Sequence, residues 1–235
     1  MAVQDGNRLQ RQSAKSTYGL DRSPRASRMS IALVLFDMND VLCRYDRARR
    51  IAQLAVITGR EPEAIETAIW DSGYEDSADV GAMAADAYLR GFGERIGHPL
   101  TLGDWVGTLR ASMTPLPTAL ALAQQVGQTV RIAALTNNNF LVAREIAAIF
   151  PAIPAIFGGA FSVSAEFGAR KPDPEVYRRC IARHGIPADA TLFVDDSAAN
   201  VAGAEAAGLM AHRYTTIEAL SDLLRQHRLL PSDGP

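Results

Sequence analysis

The chain has 235 residues, of which 48% are hydrophobic and 21% charged. This is the composition of a folded domain with a sizeable core, and it excludes a largely disordered chain. With 24 basic and 26 acidic residues the net charge is -2, which excludes the basic excess of a general nucleic-acid binder. No apolar run reaches the roughly 18–20 residues of a membrane span. Cys43 and Cys180 form neither a CxxC nor a ligand cluster, so the expected setting is a reducing cytoplasm.

Residues 1–28 stand apart. They carry Arg8, Arg11, Lys15, Arg22, Arg25 and Arg28 against Asp5 and Asp21, with only scattered apolar residues. They are expected to be a disordered basic leader. The apolar run Ile31–Phe36 then predicts a strand buried on both faces, ending at Asp37. From about Tyr45 to Met113 the pattern is helical, with segments at Arg47–Thr58, Glu61–Trp70, Val80–Ile96 and Leu102–Ser112 and no convincing strand. Beyond it strands and helices alternate. Strands are expected at Val130–Leu135, Ala160–Val163, Thr191–Val194 and Met210–Tyr214. Helices are expected at Pro117–Val126, Phe140–Phe150, Pro174–His184, Ala198–Ala207 and Thr216–Gln226. Gly127, Gly185 and Gly208 act as stop signals. The alternation implies an α/β fold with a mostly parallel sheet. Residues 29–44 and 114–235 would form this core, and residues 45–113 a helical insertion.

In such a sheet ligands bind beyond the carboxyl ends of the strands. Those ends carry Asp37-Met38-Asn39-Asp40, Thr136-Asn137-Asn138-Asn139 and Asp195-Asp196-Ser197. If the strands are neighbours, Asp37 and Asp195 can share a magnesium ion, which prefers hard oxygen ligands. A carboxylate so placed can attack phosphorus. Lys171 is the single lysine after residue 28. Its compact ammonium suits a phosphoryl oxygen and a carboxylate together better than a planar guanidinium does.

The segments FDMNDVL (36–42), LTNNN (135–139), GARKPDPEVY (168–177) and FVDDSAANVAGAEAAGL (193–209) together resemble the four motifs of the haloacid dehalogenase superfamily. The resemblance runs from Ser30 to Leu224. It implies a Rossmann-like core, a small C1-type cap at the insertion, Mg²⁺ dependence and hydrolysis of a small phosphorylated metabolite. In style it is similar to sugar-phosphate phosphatases and to the phosphatase domain of soluble epoxide hydrolases. By position it makes Asp37 the nucleophile, Thr136 and the backbone at Asn137 the phosphoryl binders, and Lys171 the stabilising cation. Asp37, Asp195, Asp196 and the Asn39 carbonyl would be the metal ligands.

The second Asp of the usual phosphatase motif is replaced by Asn39, whose amide can orient but has no proton to shuttle. Asp40 is the adjacent carboxylate that could take over. A weakly active or non-catalytic phosphate-binding protein is therefore the alternative reading. A 2-haloacid dehalogenase is a further one, disfavoured by the paired acids Asp195-Asp196. Arg44, Trp70 and Tyr74 are candidate substrate contacts, with packing of the helical insertion as the other reading for the two aromatics. The expected assembly is a monomer or homodimer, with no nucleic-acid or membrane partner.

Overall fold

The computed structural model describes residues 30–230; the basic stretch 1–28 lies outside them. Five strands form the main sheet: β1 (Leu33–Phe36), β4 (Arg131–Thr136), β5 (Phe161–Val163), β6 (Thr191–Asp195) and β7 (Met210–Arg213). Their spatial order is β5-β4-β1-β6-β7, and every neighbouring pair is parallel. The central strand β1 is apolar and buried at every position, as a strand sandwiched between two helical layers must be. From it the chain builds β4 and β5 on one side and β6 and β7 on the other. A crevice therefore opens at the carboxyl ends flanking β1. Phe36 lies opposite both Ala134 and Val194, so the three strand ends finish at nearly one level.

The helices between the strands are α6 (Pro117–Val126), α7 (Phe140–Ile149), α8 (Ala152–Phe157), α9 (Pro174–His184), α10 (Ala198–Ala206) and α11 (Ile217–Gln226). Several begin at the residues that end the strand loops. Asn139 accepts from the backbone N–H of Leu141 and Val142 at the start of α7. Ser197 caps α10 and Asp173 caps α9, with Pro174 at the first helical position, where a missing N–H costs nothing. The loops after β4 and β6 are thus held by the helices they start.

Between β1 and α6 lie α1 (Arg47–Thr58), α2 (Pro62–Glu66), α3 (Tyr74–Asp79), α4 (Ala85–Ile96) and α5 (Leu102–Ser112). They pack around Trp105, Tyr88 and Phe92, all fully buried. Four features differ from the sequence expectation. The helix expected over Glu61–Trp70 passes from α2 into a π-helical turn at Thr67–Asp71. The one expected over Val80–Ile96 is broken, because Gly81 has a φ of +76° and a Cβ there would collide with the carbonyl oxygen of Ala165. The chain must leave the helix to pass that close to the core. A short antiparallel pair, β2 (Cys43–Tyr45) and β3 (Met113–Pro115), ties the two ends of the helical stretch together. Three-residue strands whose partners lie far apart in sequence leave no local periodicity to read. Finally, α8 forms despite Pro151 and Pro154, which fall before it and in its first turn, where backbone donors have no helical acceptor to lose. Among the described residues, no single helix is long and apolar enough to cross a membrane.

Candidate active site

Asp37 leaves the end of β1, its N–H donating to the carbonyl of Val194 at 2.9 Å. Lys171 reaches it from the loop before α9. The Lys171 Nζ donates to Asp37 Oδ1 at 2.6 Å and to Asp195 Oδ2 at 2.7 Å. All three side chains are buried. Asp195 is held further by Asn200 Nδ2, 3.0 Å from both of its oxygens, and by the N–H of Ser197 at 2.8 Å. Asp196 is half-buried beside them. One carboxylate oxygen from each of Asp37, Asp195 and Asp196 lies within 4.8 Å of the others.

The Asn137 side chain clamps the backbone of Lys171. Its Nδ2 donates to the Lys171 carbonyl and its Oδ1 accepts from the Lys171 N–H, both at 2.8 Å. Asn138 Nδ2 donates to Thr136 Oγ1 at 2.9 Å, which leaves the Thr136 hydroxyl hydrogen free to donate elsewhere. These asparagines thus orient the lysine and the threonine. Of the residues expected from the four motif segments, Asp37, Thr136, Asn137, Lys171, Asp195 and Asp196 are brought together here.

The charge in this cluster is unbalanced. Two buried carboxylates share one ammonium. Burial opposes the charge of Lys171, but Asp37 and Asp195 together hold its pKa above the ordinary lysine value. Burial pushes Asp37 up to about 7, with Asp195 reinforcing the shift and Lys171 opposing it. Burial also raises Asp196, helped by Asp195 and Asp40. Excess negative charge among hard oxygen donors is the environment that a divalent cation relieves.

Next to the cluster lies a cavity of about 210 Å³. Asn39, Asn137 and Asn138 form its core side, and Tyr45, Arg47, Arg50, Trp70, Glu75, Asp76, Asp79 and Arg170 close it. Arg50 is buried against the rings of Trp70, Phe92 and Trp105, with centroids 5.3–5.7 Å from its guanidinium carbon. Such stacking offsets part of its desolvation. A more open groove of about 530 Å³ between α4 and the 97–100 loop contains none of the expected site residues.

Two expected contacts are corrected. Arg44 is exposed and outside the cavity, because side chains alternate along β2. Cys43 points into the core, Arg44 outward, and Tyr45 onto the cavity instead. Tyr74 is buried within the helical segment, stacked on Tyr88 with centroids 5.5 Å apart, and its hydroxyl donates to the Tyr88 carbonyl at 2.8 Å. Trp70 does line the cavity. Asp40 is exposed at a φ of 57° and is not among the cavity residues. The cavity also brings in Asp79, which no sequence pattern singled out, and Arg170, which lies in the segment GARKPDPEVY beside Lys171. In sequence Asp79 reads as an ordinary acidic residue near a helix end.

The raised carboxyls have a measurable consequence. Asp37 moves from 3.8 to about 7, and Asp79 from 3.8 to about 8 through burial, Glu75 and Asp76 against Arg170 and Arg50. The folded state then keeps protons that the unfolded chain releases above about pH 4. The stability from these groups is complete below pH 4 and is lost as pH rises through 7–8. Thermal melts in a chelating buffer are expected to show a midpoint that falls from pH 5 to pH 8.5. A midpoint that rises or stays level would contradict this charge distribution.

The comparisons agree with this architecture. The chain is 29% identical over 197 residues to phosphatase MT3486 of Mycobacterium tuberculosis, covering 78% of this chain and 87% of that protein. It is 32% identical over 156 residues to the sesquiterpene phosphatase astK of Aspergillus oryzae, covering 62% and 74%. In fold it is similar to the HAD family enzyme bt-2542 of Bacteroides thetaiotaomicron, solved in complex with magnesium and inorganic phosphate. The TM-score is 0.68 at 20% identity, covering 83% of this chain and 100% of that one. A model of the haloacid dehalogenase-like hydrolases matches residues 31–208, which span the whole constellation, and the chain belongs to that family.

Proposed function

We propose that this hydrolase is a Mg²⁺-dependent phosphatase that cleaves a small phosphorylated metabolite through an aspartyl-phosphate on Asp37. The observation that carries this reading is the single ammonium of Lys171 set between Asp37 and Asp195 at 2.6 and 2.7 Å. It fixes one oxygen of Asp37 and leaves the other to attack phosphorus. Thr136, with its hydroxyl hydrogen left free by Asn138, and the backbone at Asn137 hold the phosphoryl oxygens. Lys171 compensates the charge that builds there. Asn39 orients the leaving side of the ester through its amide. Residues 45–113 serve as the cap that closes over the substrate and selects it.

The donor set fits magnesium. Asp37, Asp195 and Asp196 present a compact group of carboxylate oxygens, and the Asn39 carbonyl would add a further hard ligand. When bound, the ion supplies positive charge that draws the anionic ester to an otherwise negative site. The two curated relatives are both phosphatases, which supports phosphate over halide chemistry. The group of three carboxylates likewise counts against a 2-haloacid dehalogenase, which has no use for a cation. A reducing, cytoplasmic setting is in keeping with the buried free thiols of Cys43 and Cys180. Asn39 favours one other reading, a phosphate-binding protein with weak turnover or none.

Turnover of 4-nitrophenyl phosphate by the full chain, with and without Mg²⁺, separates the two. Expected is hydrolysis that EDTA abolishes and Mg²⁺ restores. Absence of turnover at high protein concentration, with Mg²⁺ binding intact by calorimetry, would favour the phosphate-binding reading instead. A panel of phosphorylated metabolites then identifies the preferred leaving group.

A further inference from the structure

Asn39 stands where a proton donor is needed and has none to give. Asp40 is exposed and absent from the cavity. Asp79 lies at the end of α3, only 8% exposed, and shares the cavity with Asn39, Asn137 and Asn138. Its position is fixed against the core. Ser164 Oγ donates to the Asp79 carbonyl at 2.7 Å and accepts from the Asn138 N–H at 3.1 Å. A single hydroxyl therefore joins the Asp79 backbone to the loop that carries Thr136 and Asn138. Arg170, the neighbour of Lys171, pairs with Asp76 one turn earlier in α3. Gly81, two residues on, is packed against the Ala165 carbonyl with no room for a side chain.

We propose that Asp79 is the proton donor to the leaving-group oxygen, supplied by the helical segment in place of Asn39. This rests on the aspartyl-phosphate reading above. As Asp37 attacks, the bond from phosphorus to the leaving oxygen breaks and its electron pair stays on that oxygen. The oxygen takes the proton of Asp79, which becomes a carboxylate. In the second half, water attacks phosphorus and its proton leaves with the phosphate, while Asp79 recovers a proton from solvent. Phosphate and the Asp37 carboxylate are released, and Asp79 is again protonated. The surroundings suit this cycle. Burial pushes Asp79 up to about 8; Glu75 and Asp76 from its own helix reinforce the shift, while Arg170 and Arg50 oppose it. The group therefore holds its proton at neutral pH and gives it up near the range in which general acids work best.

The test compares two esters in Mg²⁺ buffer with the full chain. Glycerol 2-phosphate has an alkoxide leaving group that needs a proton, and 4-nitrophenyl phosphate has one that needs little help. Asp79→Asn is expected to lower kcat on the glycerol ester by about 10²-fold or more, and on the aryl ester by no more than several-fold. The aryl rate also reports that the variant is folded. The fall in the glycerol ester rate as pH rises through about 8 should disappear in the variant. Adding Asn39→Asp to Asp79→Asn should recover much of the lost rate by restoring a donor at the neighbouring position. Equal losses on both esters, or a change in KM alone, would overturn the role of Asp79. If Asp37→Asn remains active, the underlying aspartyl-phosphate reading fails instead. If Asp37→Asn is inactive while Asp79→Asn shows no leaving-group dependence, only the present proposal fails.

Discussion

Asp37→Asn is expected to lower kcat on every phosphate ester by about 10⁴-fold or more, with no loss of fold. The amide keeps the shape of the side chain and can still accept from Lys171, but it has no charge and is a poor nucleophile. Stability is expected to move the other way. In the wild-type cluster two buried carboxylates compete for one ammonium, and burial already pushes Asp37 up to about 7. Removing that charge leaves a matched pair of Lys171 and Asp195. In a chelating buffer at pH 8 the variant should melt at or above the wild-type temperature. Loss of activity together with a marked loss of stability would mean that Asp37 is a structural anchor. Activity within tenfold of wild type would mean that another group attacks phosphorus.

Lys171→Met should have the largest effect on stability. The ammonium is buried and is the shared partner of Asp37 and Asp195 at 2.6 and 2.7 Å. Methionine fills similar space but leaves two buried carboxylates facing each other. Breaking one side of a buried ion pair typically costs about 3–5 kcal/mol, and that loss is expected at pH 8 without metal. The sign of the pH dependence is fixed. Without Lys171 the carboxylates hold protons more tightly than before, so the deficit should shrink as pH falls from 8 to 5 and they become neutral. Lys171→Arg is expected to rescue poorly, because a planar guanidinium cannot take the place of a point charge between two converging oxygens. Urea titrations at the two pH values read both effects. A deficit that is the same at pH 5 and pH 8 would show that packing around Lys171, and not its charge, is what matters.

Much of this architecture is legible in the sequence. The helix expected at Arg47–Thr58 is observed with those bounds because its signals are adjacent to it. Asp46 caps its first turn and Gly59, with a φ of 66°, ends it. The helix at Pro174–His184 is likewise bounded by Asp173 and Gly185. The apolar run that becomes β1 and the largely apolar one that becomes β6 announce burial on both faces. Each run leads into a carboxylate, so Asp37 and Asp195 can be named from sequence alone, and Thr136 and Lys171 stand in the segments LTNNN and GARKPDPEVY. Their convergence requires only that β1, β4 and β6 be neighbours, as parallel connectivity favours.

What forms the helical side of the cavity is a different matter. Arg44 lies just after FDMNDVL and Tyr74 lies four residues after Trp70, yet one points to solvent and the other into the helical segment. Asp79 carries no pattern and yet lines the cavity. Residue type, capping and hydrophobic period act over a few neighbouring positions, and these the chain states directly. The direction of a side chain across the gap between the helical segment and the sheet is set elsewhere. It depends on which of two strand faces is buried in β2, and on contacts such as Ser164 to Asp79, 85 residues apart in sequence. Those contacts exist only once the helical segment has docked, so only the tertiary structure decided which residues line the cavity.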